Sequence, residues 1–199
     1  MGVILIRHFI VVTLPLFPLS AHVLPGGRMS LRIFEPRYTR MVKEACASES
    51  GFVICMLNAK GDKTTNEHIH SIGTYVSVVD FNMLDDGLLG ITVEGVKCVS
   101  ISNIRIEKDE LRIADCEMIT PWQFNLEKDA LFPMDIKLKE IFDKYPEVNS
   151  LYQETRFDDP IWVINRWLEL LPVDAAQKQA FLAESDCSKI VQYLTKLVE

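Results

Sequence analysis

The sequence predicts an α+β protein in which a small β-barrel with one inserted helix is followed by a helical bundle. All nine glycines lie at or before Gly95, whereas all three tryptophans lie after it. Glycine serves turns and tight strand connections, so its distribution predicts a β-rich first half. After Pro121 the apolar residues recur with a period of about 3.6, which predicts helices. We place the boundary near residue 120, which gives a barrel subdomain over 9–120 and a helical subdomain over 121–199.

Runs of β-branched and aromatic residues mark the strands of the first half. Phe52–Leu57 is apolar enough to be buried on both faces, and Asp85-Asp86-Gly87 is a turn signal between two further runs. Several short strands joined by turns, with one helix between them, favour a small closed or nearly closed barrel over an open sheet. The predicted strands are Phe9–Phe17, Phe52–Leu57, Gly73–Met83, Leu88–Glu94, Val96–Ile106 and Leu111–Ile119.

One helix interrupts this β-rich half. Pro36 suits the first helical position, where its missing N–H costs nothing. The polar residues of Ser48–Gly51 end the helix. The apolar residues between these limits recur at i, i+3, i+4 and i+7, which is one face of a helix; they are Tyr38, Met41, Val42 and Ala45.

The second half carries the start signals of several helices. Asp159, Asp174 and Asp186 each lie just before an apolar pattern of helical period, and we predict that each is an N-cap. A further helix is predicted within Leu126–Tyr145, where Pro133 forces a start or a kink.

The composition is that of an ordinary soluble globular chain. Hydrophobic residues make up 48% and charged residues 25%, and the net charge is −7. These values exclude a disordered chain and argue against a general binder of nucleic-acid phosphates. Arg7 and His8 interrupt the one apolar stretch that approaches the ~18 residues of a membrane span, and prolines follow, which also makes it a poor signal peptide. The five widely spaced cysteines are expected to be mostly buried, reduced thiols, so we expect a cytoplasmic protein.

Motifs of common enzymes are absent from the sequence. ATP hydrolysis would need a glycine-rich loop that ends in Gly-Lys-Ser/Thr, and no Gly-Lys dipeptide occurs. The patterns of dinucleotide binding, the nucleophile elbow and zinc proteases are missing as well. We therefore predict no catalytic, cofactor-binding or metal-binding residue.

The histidines and acid pairs are given structural interpretations. His68 and His70 could face one side of a strand and share a metal ion, but no third ligand is evident and we favour a polar loop edge. His22 has no recognisable partner and is expected to be structural. The acid pairs at 85–86 and 158–159 are better explained by a turn and a helix cap.

A locally basic stretch follows the first predicted strand. It could bind an acidic peptide or a nucleic-acid backbone, and it makes Arg28, Arg32 and Arg40 the candidate partner contacts. The charge is spread out and interrupted by acids, so we favour a structural interpretation. In that interpretation Arg37 pairs with Glu35 or another carboxylate, while Arg40 lies on the solvated side of the helix.

Three blocks of sequence carry a resemblance to a known family. They are Leu14–Leu19 (LPLFPL), Val23–Gly27 (VLPGG) and Leu31–Tyr38 (LRIFEPRY), and their motif residues are Pro18, Pro25, Gly26, Phe34, Glu35, Pro36, Arg37 and Tyr38. Further matches follow in order at Gly73-Thr74, Asp86-Gly87, Val93–Val96, Leu170–Val173 and Gln177–Gln179. From about Val11 onward the chain resembles the N-terminal domain of Lon, the ATP-dependent protease. It departs from the family at Gly27-Arg28-Met29 and in the apolar leader before Val11.

The resemblance implies a PUA-like β-barrel followed by a helical bundle, which agrees with the two halves described above. It also implies a domain that recognises and holds protein substrates, because ATP hydrolysis and the serine–lysine peptidase of that family lie in later domains. We expect a free-standing, non-enzymatic substrate-binding domain without a cofactor. Its expected partners are unfolded proteins or peptides, with a separate protease as a further candidate. RNA binding by a PUA-like barrel is the alternative, and a small hydrolase with an unfamiliar site is a third hypothesis.

The block Phe34–Tyr38 has local roles that need no ligand. Phe34 is expected to close the barrel, Glu35 to cap the new helix and Tyr38 to begin its buried stripe. We therefore assign the block to folding stability rather than to ligand contact. Two alternative sites for a bound peptide are considered. The peptide could add as a strand to an exposed barrel strand, or it could enter the groove between the barrel and the helices.

Overall fold

The computed structural model describes residues 11–122 and 131–198, which form six strands and six helices. The first part contains β1 (Val11–Leu19), β2 (Arg28–Ile33), α1 (Pro36–Ala47), β3 (Phe52–Leu57), β4 (Ile69–Met83), β5 (Leu89–Ile106) and β6 (Arg112–Met118). The second part contains α2 (Met134–Lys144), α3 (Pro146–Asn149), α4 (Pro160–Leu170), α5 (Ala175–Leu182) and α6 (Ser188–Val198). The chain is therefore a mixed α/β protein in which all described strands precede all described helices except α1.

The six strands belong to one sheet in the order β2-β5-β4-β3-β1-β6. β1 and β3 run parallel, and all other pairs are antiparallel. β5 pairs with β2 and β4 in its first part and with β6 in its last part, while β6 also pairs with β1. The pairings therefore run from β5 through β4, β3, β1 and β6 back to β5.

The two strands predicted at 88–94 and 96–106 are one strand, and the predicted break at Gly95 is wrong. Gly95 pairs with Val76 of β4, and the strand continues through it. Its backbone also exchanges hydrogen bonds with the loop after β1, because Gly26 N–H donates to Gly95 O (2.8 Å) and Gly95 N–H donates to Gly27 O (2.9 Å). The glycine thus marks a close approach of two backbones rather than a turn.

The strand ends differ modestly from the prediction. β4 begins at Ile69, four residues before the predicted Gly73, which lies between Cys55 of β3 and Val99 of β5. β1 is described from Val11 onward, and the first two residues of the predicted strand lie outside the described residues. Pro18 lies in the last part of β1, beyond its pairing with β6, so its missing N–H interrupts no pairing on that side.

The buried core of residues 11–122 and 131–198 falls into three clusters. One joins the predicted α1 stripe, Tyr38, Met41, Val42 and Ala45, to the sheet at Phe52, Val76, Ile91 and Val93. A second lies among β1, β3, β5 and β6 and includes Leu16, Val53, Val99 and Ala114. The largest is formed by the helices after residue 131 and receives three residues from the β-rich part, Leu24, Met56 and Ile72. The helices therefore pack on the sheet through a shared apolar core.

The predicted N-caps at Asp159 and Asp174 are confirmed: Asp159 accepts hydrogen bonds from Ile161 N–H and Trp162 N–H, and Asp174 accepts one from Gln177 N–H. Asp186 accepts a hydrogen bond from Ser188 N–H, but α6 begins at Ser188, so Asp186 lies one residue before the N-cap position. α2 begins directly after Pro133, as its ring predicts, and residues 126–130 of that predicted helix lie outside the described residues. Within residues 11–122 and 131–198, no helix has the length and apolar character of a membrane-spanning segment.

Two of the roles predicted for Phe34–Tyr38 are wrong. Glu35 occupies the N-cap position, but its side chain makes no capping hydrogen bond and instead pairs with Arg37, with Oε2 and Nη2 2.5 Å apart. A guanidinium two residues away is a stronger partner for a carboxylate than a backbone amide. Phe34 is 69% exposed and closes no barrel, because Ile33, only 2% exposed, fills the buried position at the end of β2. Tyr38 is buried against Phe17, as predicted, with their ring centroids 4.3 Å apart.

Candidate functional site

Large apolar side chains are exposed at one end of the sheet. Phe81 and Met83 of β4 are 65% and 71% exposed, and Phe34 lies just beyond β2 at the same end. Met83 pairs with Leu89 of β5, which in turn pairs with Ile33 of β2, so Met83 and Phe34 lie about two strand spacings apart. Exposed apolar side chains grouped in this way are typical of an interaction site.

The same end of β4 has an unpaired backbone edge. The pairing of β3 with β4 ends where Phe52 meets Val76, so residues 77–83 pair with β5 alone among the described strands. Phe81 is the partner of Ile91, which is buried under α1, and directly paired residues share one face of a sheet. The apolar core surface therefore continues onto the exposed side chains of this edge. We call residues 77–83, with Phe81 and Met83, the β4 edge.

The β4 edge is partly protected. The register of β4 against β5 shifts between Val78 and Asp80, and the Asp80 carboxylate accepts a hydrogen bond from Phe81 N–H at 2.9 Å. Bulges and charges at a sheet edge prevent uncontrolled pairing with other chains. The β4 edge therefore combines unpaired backbone with two features that limit strand addition.

The loop after β1 is held by side chains of α4. Trp162 Nε1 donates to Gly26 O at 3.1 Å, and Asn165 Nδ2 donates to Pro25 O at 3.3 Å. Gly26 has φ +76°, a backbone conformation that residues other than glycine rarely adopt, and a Cβ there would lie 2.9 Å from Trp162 Cδ1. The motif residues Pro25 and Gly26 thus position the loop against the helix.

An ion pair one turn further along α4 completes this contact. Arg166 is 1% exposed, and its Nε and Nη2 donate to the two carboxylate oxygens of Glu169 at 2.6 and 2.8 Å. Glu169 also accepts a hydrogen bond from Leu24 N–H (2.5 Å), while Arg166 Nη2 donates to Leu24 O (3.1 Å). We call these four side chains the α4 clamp: Trp162, Asn165, Arg166 and Glu169. The sequence analysis missed them, although their spacing of i, i+3, i+4 and i+7 places them on one helix face.

A groove of about 750 Å³ lies beside the α4 clamp, between the loop after β1 and the helices. His22 and Lys178 lie in it, with His22 Nε2 3.1 Å from both Lys178 Nζ and Leu168 O. Burial, followed by the positive charge of Lys178, lowers the pKa of His22 to about 4, so its ring is neutral at pH 7. Burial also lowers the pKa of Lys178 and raises that of Glu169. His22, which had no evident partner in the sequence, is therefore a groove residue.

The three arginines named as candidate partner contacts all have carboxylate partners. Arg28 pairs with Glu94 (Nη2 to Oε2, 2.6 Å) and also donates from Nη1 to Leu151 O at 3.1 Å. Arg32 pairs with Asp86 of the turn before β5. Arg40 pairs with Glu44, Glu107 and Asp109. Each of these guanidinium groups is thus engaged by at least one carboxylate, and the predicted pairing of Arg37 with Glu35 is confirmed.

Among the described residues, His68, His70 and the cysteine thiols show no metal centre and no activated nucleophile. His68 is 6% exposed, His70 is half-buried, and no group of three metal-ligating side chains occurs among the residues that the structure describes. All five cysteines are free, and Cys46 on α1 is the exposed exception to the expected burial. Burial raises the pKa of the Cys98 and Cys116 thiols to about 11, so both are protonated at pH 7 and are poor nucleophiles.

Comparisons with known proteins agree on one family. Residues 13–199 match the family described as the ATP-dependent protease La (LON) substrate-binding domain. A crystal structure of a Lon N-terminal domain protein from Xanthomonas campestris matches with a TM-score of 0.68 and 26% identity, covering 93% of this chain and 98% of that one. The N-terminal domain of Lon protease from the Mycobacterium avium complex shares the fold, with a TM-score of 0.65 at 15% identity over 92% of this chain and 96% of that one. No functionally curated protein matches.

Proposed function

Because the chain belongs to the family of ATP-dependent protease La (LON) substrate-binding domains, we propose that it is a non-catalytic module that binds exposed apolar segments of unfolded proteins. The observation that carries this proposal is the β4 edge, an unpaired strand end with Phe81 and Met83 more than three-fifths exposed. An extended segment that pairs with residues 77–83 gains backbone hydrogen bonds from the edge. Its alternate side chains then pack on Phe81 and Met83.

The finer architecture belongs to the same proposal. The ring of strand pairings supports a PUA-like barrel subdomain over 9–120, and the helices that pack together after residue 131 support a helical subdomain over 121–199. In this view Pro25 and Gly26 join the two subdomains, and Arg28, Arg32 and Arg40 stabilise the fold. We further propose that the module acts in the cytoplasm and presents its substrates to a separate protease.

The charge distribution disfavours RNA binding, the alternative function. Residues 1–120 contain 12 basic and 14 acidic side chains, and the three candidate arginines are engaged by carboxylates. RNA binding requires cations that are available to phosphates. Retention of RNA that weakens steeply with salt would favour this alternative over the proposal.

The experiment measures binding of the purified chain to a reduced, carboxymethylated unfolded protein by fluorescence anisotropy. We expect the F81S/M83S variant to bind at least about tenfold more weakly, because burial of either side chain contributes more than the ~1.4 kcal/mol that corresponds to tenfold. Its melting temperature should not change, because both side chains are exposed in the free chain.

The matched control is I136S, which replaces another exposed apolar residue, 47% exposed on α2. We expect this variant to bind like the wild type. Absence of binding by the wild-type chain to several unfolded proteins would refute the proposed function. Equal binding by wild type and F81S/M83S would refute the assignment to the β4 edge.

A further inference from the structure

Lys178 is a buried cation without a carboxylate of its own. The residue is 5% exposed, and its ammonium has one hydrogen-bond partner, His22 Nε2 at 3.1 Å, within the part of the chain that the structure describes. The nearby Glu169 carboxylate is already occupied. Its Oε1 accepts from Leu24 N–H and Arg166 Nη2, and its Oε2 accepts from Arg166 Nε.

The floor of the groove therefore carries a surplus positive charge. Arg166 and Lys178 supply two buried cations, whereas Glu169 supplies one buried carboxylate and His22 is neutral at pH 7. The remaining charged residues of the groove do not compensate: Arg28 is paired with Glu94, and Glu147 is exposed at the rim. A buried charge without a counter-charge is costly, so this floor favours an anionic group.

The walls of the groove are apolar, and its size is that of a ligand site. Its volume of about 750 Å³ lies within the range of roughly 300–1,000 Å³ that is typical of binding sites. Apolar side chains from β2, from α2 and α3 and from the segments that follow α3 and α4 line it: Met29, Phe142, Val148, Leu151, Leu171 and Val173. A ligand that fits is apolar along its length and negatively charged at one end.

We infer that the groove binds the α-carboxylate at the C-terminal end of a polypeptide, with Lys178 as its counter-charge. This inference rests on the proposed function, because it names the part of a protein substrate that a second surface holds. A chain end combines apolar side chains with a negative charge at its last atom, so only its final residues need to enter the groove. An internal acidic residue would bring polar backbone on both sides of its carboxylate against these apolar walls. Backbone pairing at the β4 edge and capture of a chain end in the groove are then independent contacts.

The test compares two fluorescein-labelled peptides that end in Ala-Leu-Leu, one with a free C-terminal carboxylate and one with a C-terminal amide. We expect the wild-type chain to bind the free acid at least about tenfold more tightly, as one desolvated charge pair allows. In K178M the two peptides should bind equally, and K178R should retain the preference. The matched control K189M removes a lysine whose side chain is 67% exposed, and it should behave as the wild type.

Several outcomes would overturn the inference. Equal binding of acid and amide by the wild type would do so, and so would a preference that survives in K178M. Tight binding of an amidated peptide with an internal Glu would show that any carboxylate suffices and that the chain end is not recognised. Should K178M fail to fold, the acid-to-amide ratio in the wild type and in K178R decides the matter. If unfolded protein binds through the β4 edge while acid and amide bind alike, this inference alone fails; if neither unfolded protein nor peptide binds, the proposed function fails as well.

Discussion

Replacement of Arg166 by Met should lower the unfolding free energy more than replacement of any charged residue on the surface. The side chains of Arg166 and Glu169 are 1% and 13% exposed, so R166M leaves a largely buried carboxylate without its hydrogen-bonded counter-charge. Removal of one partner from a buried ion pair costs about 3–5 kcal/mol. The loop carbonyls contribute less to this cost, because Leu24 O keeps its hydrogen bond from Gly27 N–H (2.8 Å) and Pro25 O keeps that from Asn165 (3.3 Å).

Urea unfolding followed by tryptophan fluorescence measures this loss. At pH 7 the R166M variant should lose about 3–5 kcal/mol of unfolding free energy. Burial already raises the pKa of Glu169, and without the guanidinium that pKa rises further. The folded variant then binds a proton more readily than the unfolded chain does, so its deficit should shrink as the pH falls from 7 towards 5.

Two further variants make the test decisive. The double variant R166M/E169M should recover most of the lost stability, because it also removes the carboxylate that R166M leaves without its hydrogen-bonded partner. The side chain of Arg105 is 46% exposed and pairs with Asp115. R105M breaks this surface pair and should lower the unfolding free energy by less than about 1 kcal/mol. If R166M lies within about 1 kcal/mol of the wild type, or if the double variant is as unstable as R166M, the buried pair does not hold the loop as described.

Two predictions concern the neighbouring loop and groove. In G27A the new Cβ would lie 2.3 Å from Glu169 Oε1 and 2.5 Å from Arg166 Nη2, so the variant should lose about 1–3 kcal/mol in the same urea assay; unchanged stability would contradict this tight fit. For His22, burial holds the folded pKa at about 4, below the ordinary 6.5, so the unfolded chain binds the proton first and stability is lost as the pH falls through this window. As the pH is lowered from 6.5 to 4, the unfolding free energy of the wild type should fall by up to about 3 kcal/mol relative to that of H22Q. If the difference in unfolding free energy between the two proteins does not depend on pH, His22 is not held neutral.

Local signals in the sequence were sufficient for most of the secondary structure. The caps at Asp159 and Asp174 and the buried stripe of α1 depend on residues a few positions apart, and all were predicted correctly. Gly95 was misread because its role depends on the loop at Gly26, nearly seventy residues earlier in the chain. Glu35 was misread because two local partners compete for its carboxylate, and the guanidinium of Arg37 is the stronger one.

The candidate sites could not be located from the sequence because they depend on where strands stop pairing and on which buried charges lack partners. The sequence around Phe81 and Met83 has the pattern of an ordinary strand. Its backbone edge is left unpaired because the β3–β4 pairing ends at Val76. Lys178 resembles an ordinary helix-surface lysine until the fold covers it. The exposure of the β4 edge and the surplus charge of the groove are both products of long-range packing.

The two proposed surfaces depend on the core in different ways. The groove shares Glu169 and Arg166 with the α4 clamp, so a change to either residue alters both the stability of the chain and the charge at the groove floor. Phe81 and Met83 are exposed and belong to none of the three buried clusters, so they can be replaced without loss of core packing. Under the proposed function, sequence change at the β4 edge therefore alters which segments are bound while the fold stays intact. The floor of the groove has far less freedom, because any change there must also preserve the contact between α4 and the loop after β1.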